Sequence, residues 1–342
     1  MNQPNASKSA LTRAVSARPW TEVLRRVGSQ NLSLLLALAV LLAIFGALRP
    51  EIMFSYRNLI NIALAVTVLG ILALAQTAVI VSGGLDISVG SLVGLCTMCT
   101  ALSINWFPAD SGVGTAVSVV VGLLAGLLGG LLNGLIITHG RVNAFIATLG
   151  TMTAFRGVAF ITSNGSSVPI VNDTLRFVGS GALLGIPVPI WLLAVTSVVF
   201  FVLLRSTVIG RNIYAIGGNP TVARLAGIDI KRYQLGIYAV SGLAAGLAGM
   251  ILAARTMSGQ PSSGTQGLEL EVVTAAILGG CALSGGKGTI GGTLLGMLIL
   301  GVLSNGMILT SVPTFYQLLA KGALLIVAVM MQEFHSRQAG SA

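Results

Sequence analysis

Between residues 31 and 332 the sequence is a succession of apolar runs, most about as long as a bilayer is thick, separated by short polar breaks. A helix crosses the hydrocarbon core with about 20 residues. Runs at 31–48, 58–81, 87–106, 113–138, 143–162, 187–204, 233–254, 270–283, 289–310 and 314–332 read as ten such helices. The eighth run is too short to cross alone, so a broken or re-entrant element is expected there. Composition removes the competing classes. Charged residues make up 8% of the chain and apolar residues 54%, whereas a soluble domain carries about 25% charged residues. The expected fold class is therefore all-α: a polytopic membrane protein of about ten transmembrane helices, with broken or re-entrant segments.

The cations are placed to orient such a bundle. Positively charged residues favour the cytoplasmic side of a membrane protein. With the N-terminus inside, Lys8, Arg13, Arg18, Arg25, Arg26, Arg141, Arg205, Arg211, Arg224, Lys231, Arg232, Lys287 and Arg337 fall in inside segments. Only Arg49, Arg57, Arg176 and Arg255 fall outside, and Arg156 and Lys321 lie within spans. Both termini are thus expected in the cytoplasm. The net charge of +10 does not indicate nucleic acid, which needs cations gathered on one folded face. Residues 1–30 read as a disordered basic cytoplasmic tail, 31–332 as a transmembrane domain with a cytoplasmic loop at 205–232, and 333–342 as a short cytoplasmic tail. The first apolar run is too long for a signal-peptide core and reads as a retained span.

No catalytic set is legible. The histidines, His139 and His335, accompany no Ser-His-Asp or Cys-His arrangement. Gly286-Lys287-Gly288 lacks the Ser or Thr that a phosphate loop places after its Lys. Cys96, Cys99 and Cys281 lie in apolar runs and read as packing residues. No metal site and no cofactor bound by this chain are expected.

The interruptions carry more information. Ser82-Gly-Gly-Leu-Asp-Ile-Ser-Val-Gly-Ser91 and Leu278-Gly-Gly-Cys-Ala-Leu-Ser-Gly-Gly-Lys287 share a pattern, offset by 196 residues. Gly-interrupted segments in corresponding places point to a midplane site in repeat-built transporters. Glycines at 122, 126 and 130, at 242 and 246, and at 292 and 296 form stripes that let helix backbones approach. Within 205–232, Asn219 suits an N-cap, Pro220 the first helical position and Gly227 the C-terminal stop. The enclosed helix of about seven residues is marginal alone and would persist by docking on a partner or on the protein's own surface. Asp86 has two readings: a cap on the helix after it, or a group facing a cavity or a partner. Glu269 and Glu271 open the eighth run.

These motifs resemble the ribose/xylose-type permeases of bacterial ATP-binding-cassette importers. The resemblance rests on Val81 to Ser91, on Asn133-Gly134 with Phe145 to Met152 and Arg156-Gly157, on Gly210 to Ile228, and on Gly267 to Thr289. Glu271 stands where the family usually has Asp, and Asn143 and Ala144 stand where a proline commonly precedes Phe145. The resemblance implies a sugar importer of the bacterial inner membrane. Its partners would be cytoplasmic ATPases carrying ATP and Mg, a periplasmic solute-binding protein and a second permease subunit, identical or paralogous. Gly217, Gly218, Asn219, Pro220, Arg224, Ala226 and Gly227 would form the coupling helix on the ATPase. Asp86, Ser88, Asn133, Thr148, Glu271 and Asn305 are the candidates to line the pathway. The competing readings are a permease for another polar solute such as an amino acid, an ion-coupled secondary transporter, which would favour more membrane acids, and a membrane enzyme.

Overall fold

The computed structural model describes residues 29–264 and 267–340. The tail expected at 1–30 lies outside them, apart from the backbone of Ser29 and Gln30. The described chain is almost wholly helical. In order it forms α1 (Ser29–Leu48), the single turn α2 (Pro50–Met53), α3 (Tyr56–Val81), α4 (Val89–Ile104), α5 (Gly112–Thr138), α6 (Ala144–Ser163) and α7 (Asp173–Ser180). Then come α8 (Val188–Ser206), α9 (Val208–Gly218), α10 (Pro220–Leu225), α11 (Ile230–Thr256), α12 (Leu268–Leu278), α13 (Ile290–Leu309) and α14 (Thr314–Gly340). Four two-residue strands pair antiparallel: β1 (Val168–Pro169) with β4 (Ser258–Gly259), and β2 (Ala182–Leu183) with β3 (Ile186–Pro187).

Among the described residues seven helices are long and apolar enough to span a bilayer: Asn31–Leu48 of α1, then α3, α5, α6, α8, α11 and α13. Two of the ten expected spans are shorter apolar helices, α4 and Thr314–Met330 of α14. The eighth is the 11-residue α12. At 1.5 Å per residue α12 reaches only about 17 Å, roughly half the hydrocarbon thickness. Before it, residues 260–264 form irregular backbone after β4. Non-helical backbone inside a membrane protein is tolerated where protein covers it, and here α4 does: a Cβ on Gly94 would stand 2.7 Å from the Ser263 carbonyl oxygen and 2.9 Å from that of Pro261.

The helix α3 is the axis of the bundle. Of its most apolar stretch 89% is buried, against 17% for α1. The glycine stripes explain the closest packing. Gly126 and Gly130 of α5 face Gly242 and Gly246 of α11, and a Cβ on Gly126 would lie 2.6 Å from the Gly246 nitrogen. The two stripes are each other's partner. Gly292 and Gly296 of α13 are closed on by α12, with a Cβ on Gly296 3.0 Å from the Gly279 nitrogen. Such approaches supply van der Waals contact where lipid gives no hydrophobic drive between helices.

The breaks sort to two ends. Segment 139–143, α9, α10 and segment 279–289 lie at one end, here called the α9 end. Tyr56, which donates to the Gly185 carbonyl, and Asn105, which donates to that of Pro169, mark the other end together with the small strands.

Candidate translocation and coupling site

Three interruptions of the helical pattern meet at the α9 end. Helix α3 stops at Val81 because Gly83 takes a left-handed φ of +83° and returns the chain: Gly83 N–H donates to Ile80 and Gly84 N–H to Val79. Helix α12 stops the same way, with Gly280 at φ +94° and N–H bonds from Gly280 to Ile277 and from Cys281 to Ala276. The shared pattern is thus a shared helix stop. Its structural register pairs Gly83 with Gly280, one residue away from the 196-residue offset read from the sequence. Beyond the stop the segments diverge. Residues 84–88 run without regular structure to α4, whereas 282–289 turn through Gly285, Gly286 and Gly288 to α13.

The third member is α9, an eleven-residue helix in the loop 205–232. Its last turn sits on both stops. Gly286 N–H donates to the Val81 carbonyl at 2.8 Å. Gly217 lies against the same pair, so that a Cβ there would stand 2.6 Å from the Gly286 nitrogen and 2.9 Å from the Val81 carbonyl carbon. Tyr214 Oη donates to the Gly288 carbonyl at 2.7 Å. Only glycine permits this junction of three backbones.

From α9 the chain enters α10 directly. Asn219 is its N-cap, accepting at Oδ1 from the N–H groups of Thr221 (3.0 Å) and Val222 (3.1 Å). Pro220 opens it, and Gly227, at φ +83°, ends it. Gly217 and Gly218, expected with the coupling helix, instead close α9. Only Ala223 of α10 is buried. Val222 (59% exposed) and Leu225 (84%) project from the end of the molecule with Arg224 and Ala226 exposed beside them.

Behind the junction a polar network pins segment 84–88 inside the bundle. Asp86 is fully buried. Its Oδ1 accepts from Ser88 N–H (3.0 Å) and Ser88 Oγ (2.7 Å), and its Oδ2 accepts from Ser241 Oγ (3.1 Å). Ser88 Oγ accepts from Asn133 Nδ2 at 2.7 Å, and Asn133 Oδ1 accepts from Thr151 Oγ1 at 2.6 Å. The Gln76 amide, oriented to satisfy both partners, bridges the N–H and C=O of Asp86 at 3.2 Å. Tyr238 Oη donates to Leu85 O at 3.1 Å, and Thr148 Oγ1 reaches the same oxygen at 3.4 Å. A buried carboxylate is tolerable with such donors and with the N-terminus of α4 beside it.

The candidate pathway residues therefore fall in three places. Asp86, Ser88, Asn133 and Thr148 come together at this network. Glu271 pairs with Lys321 of α14 at 2.8 Å, both part-buried. Asn305 exchanges amide hydrogen bonds with Asn58, at 3.1 and 3.0 Å, near the opposite end.

The sequence also matches known proteins. The family described as branched-chain amino acid transport system / permease component matches residues 58–329. The chain belongs to this family. It is 42% identical over 301 residues to the ribose import permease protein RbsC of Escherichia coli, covering 87% of this chain and 92% of the relative. It is 39% identical over 289 residues to the L-arabinose ABC transporter permease protein AraH of Azospirillum brasilense, covering 82% and 81%. It is 31% identical over 376 aligned positions to the xylose transport system permease protein XylH of Haemophilus influenzae, covering 92% and 99%. No solved structure matches the chain.

Within this permease-component fold, several residues at the site escaped the sequence reading. Gln76, Ser241 and Tyr238 are polar groups inside apolar runs, which was the available signal. Glu269 is nearly buried, and its Oε2 has no hydrogen-bond partner among the described residues. It sits at the first turn of α4: a Cβ on Gly90 would lie 2.5 Å from that oxygen and 3.4 Å from the Glu269 nitrogen. Thus α4 and α12 begin beside each other, and acids stand where both positive helix ends converge.

Proposed function

We propose that this chain is the membrane permease subunit of an ATP-driven importer for a monosaccharide, ribose- or xylose-like, or a related polyol. The observation that carries the reading is the junction of Val81, Gly217 and Gly286. It joins the loop that ends in an exposed apolar helix to the stops of two spans. A pull on α10 is transmitted to α3 and α12 through backbone contacts, with no flexible side chain between.

In this reading α10 is the coupling helix, and Val222, Arg224, Leu225 and Ala226 seat in a cytoplasmic ATPase that binds ATP and Mg. A periplasmic binding protein delivers the sugar, and a second permease subunit completes the pathway. The protein lies in the bacterial inner membrane with the α9 end and both termini in the cytoplasm, in keeping with the cations Arg141, Arg205, Arg211, Arg224, Lys231, Arg232 and Lys287 on that end. The names of the ribose, arabinose and xylose relatives favour a sugar as cargo over the amino acid in the family's description.

The test is uptake by proteoliposomes carrying the permease, its ATPase and its binding protein. ATP-dependent accumulation of a labelled pentose or hexose is expected. Accumulation of a branched-chain amino acid instead would overturn the cargo, and uptake driven by an ion gradient without ATP would overturn the class.

A further inference from the structure

An apolar groove of about 370 Å³ lies between α8 and α11 at the α9 end. Ala78 of α3 contributes to its lining, and Phe200, Leu203 and Ile213 wall it beside Gly236 and Val240. Phe200 and Ile213 are buried, while Val240 and Ile209 are exposed on the outer surface. Both flanking helices are long and apolar enough to span a bilayer, so the groove opens towards lipid tails. Its polar lip is basic. Arg232 lines the mouth, Lys231, Arg205 and Arg211 are exposed nearby, and the acid among them is Asp229. Asp229 takes the Nε of Arg232 at 2.9 Å, and among the described residues nothing binds its two terminal amino groups. Gly236 keeps the groove empty of protein: a Cβ there would meet nothing within 4 Å.

We propose that this groove is a binding site for an anionic phospholipid, one acyl chain lying along α11 and the phosphate held by Arg232. The charge decides the occupant. An apolar slot ending in an arginine at the membrane surface matches a lipid with a net negative headgroup, and basic pockets between spans on the cytoplasmic side are where such lipids bind. Ile209 and Ile213 of α9 form part of the lining, and the same helix reaches the Val81–Gly286 junction at Gly217. An occupied groove braces α9 from the lipid side.

The test measures retained lipid by native mass spectrometry on the full-length permease, titrated in mixed micelles with phosphatidylglycerol or phosphatidylcholine. The unmodified protein is expected to hold phosphatidylglycerol preferentially. Arg232→Gln should lower that preference about fivefold, the effect of one surface cation. Gly236→Phe should lower occupancy by both lipids, and Arg176→Gln at the opposite end should change neither. Arg232 is exposed, so its variant tests the site even if Gly236→Phe fails to fold. Equal retention of the two lipids, an unchanged preference in Arg232→Gln, or displacement by inorganic phosphate alone would overturn the proposal.

Discussion

The backbone N–H of Gly286 donates to the carbonyl of Val81 at 2.8 Å, across 205 positions of sequence. Val81 is the last residue of α3, and its carbonyl is one that the helix leaves free. Gly286 belongs to the turn between α12 and α13. The bond closes one helix with the backbone of another break, and Gly217 of α9 is packed against both partners. Any change that separates these three backbones is expected to disconnect the loop 205–232 from the spans.

Gly217→Ala is the smallest such change. Its Cβ would stand 2.6 Å from the Gly286 nitrogen, so α9 must lift. Overpacking of this kind costs about 1–3 kcal/mol. Thermal unfolding in detergent should show the loss. Gly218→Ala, where a Cβ meets nothing within 4 Å, should leave the melting temperature unchanged.

The Asp86 network should behave as a unit. Asn133→Ala leaves Thr151 and Ser88 without their shared partner, and Ser88→Ala removes two bonds to neighbours. Leaving buried polar groups unpaired costs about 1–3 kcal/mol each. The double variant should lose less than the sum, because both single changes cut the same chain. Additive losses would show that the groups act independently. Asp86→Asn should lower stability or transport, and wild-type uptake by that variant would make the carboxylate a dispensable cap.

The two remaining polar pairs call for different outcomes. Asn58 and Asn305 exchange two bonds, and Asn58 Nδ2 also donates to the Met53 carbonyl at 3.1 Å, so replacing both by Leu should cost less than Asn58→Leu alone, which leaves Asn305 unpaired as well and should destabilise by about 1–3 kcal/mol. Glu271 and Lys321 are 24% and 20% exposed, between the surface and buried regimes. Glu271→Gln should cost about 1–3 kcal/mol. The swap Glu271→Lys with Lys321→Glu should recover part of it in a thermal-shift measurement.

Local devices were legible in the sequence, and their meeting was not. Asn219, Pro220 and Gly227 define α10 because capping acts within one turn. Gly210, Gly217 and Gly218 make the stretch of α9 read as loop, and its helicity depends on packing against α3 and α8. The glycine stripes of α5 and α11 were visible, but nothing in either says that the other is its partner. The eighth run was rightly read as too short. That the irregular backbone of residues 261–264 packs ahead of it depends on Gly90 and Gly94 of α4, distant in sequence, leaving room for it. The acid missed as a site residue, Glu269, differs from Glu271 only by which helix each faces.

In the proposed transport cycle α10 carries force from an ATPase to the spans through the Val81–Gly217–Gly286 junction. Binding-protein-stimulated ATP hydrolysis, measured on the reconstituted complex with Arg224→Glu and Ala226→Glu, tests this most directly. Stimulation should disappear while the permease still inserts and unfolds at its normal temperature. Undiminished stimulation in that variant would contradict the account.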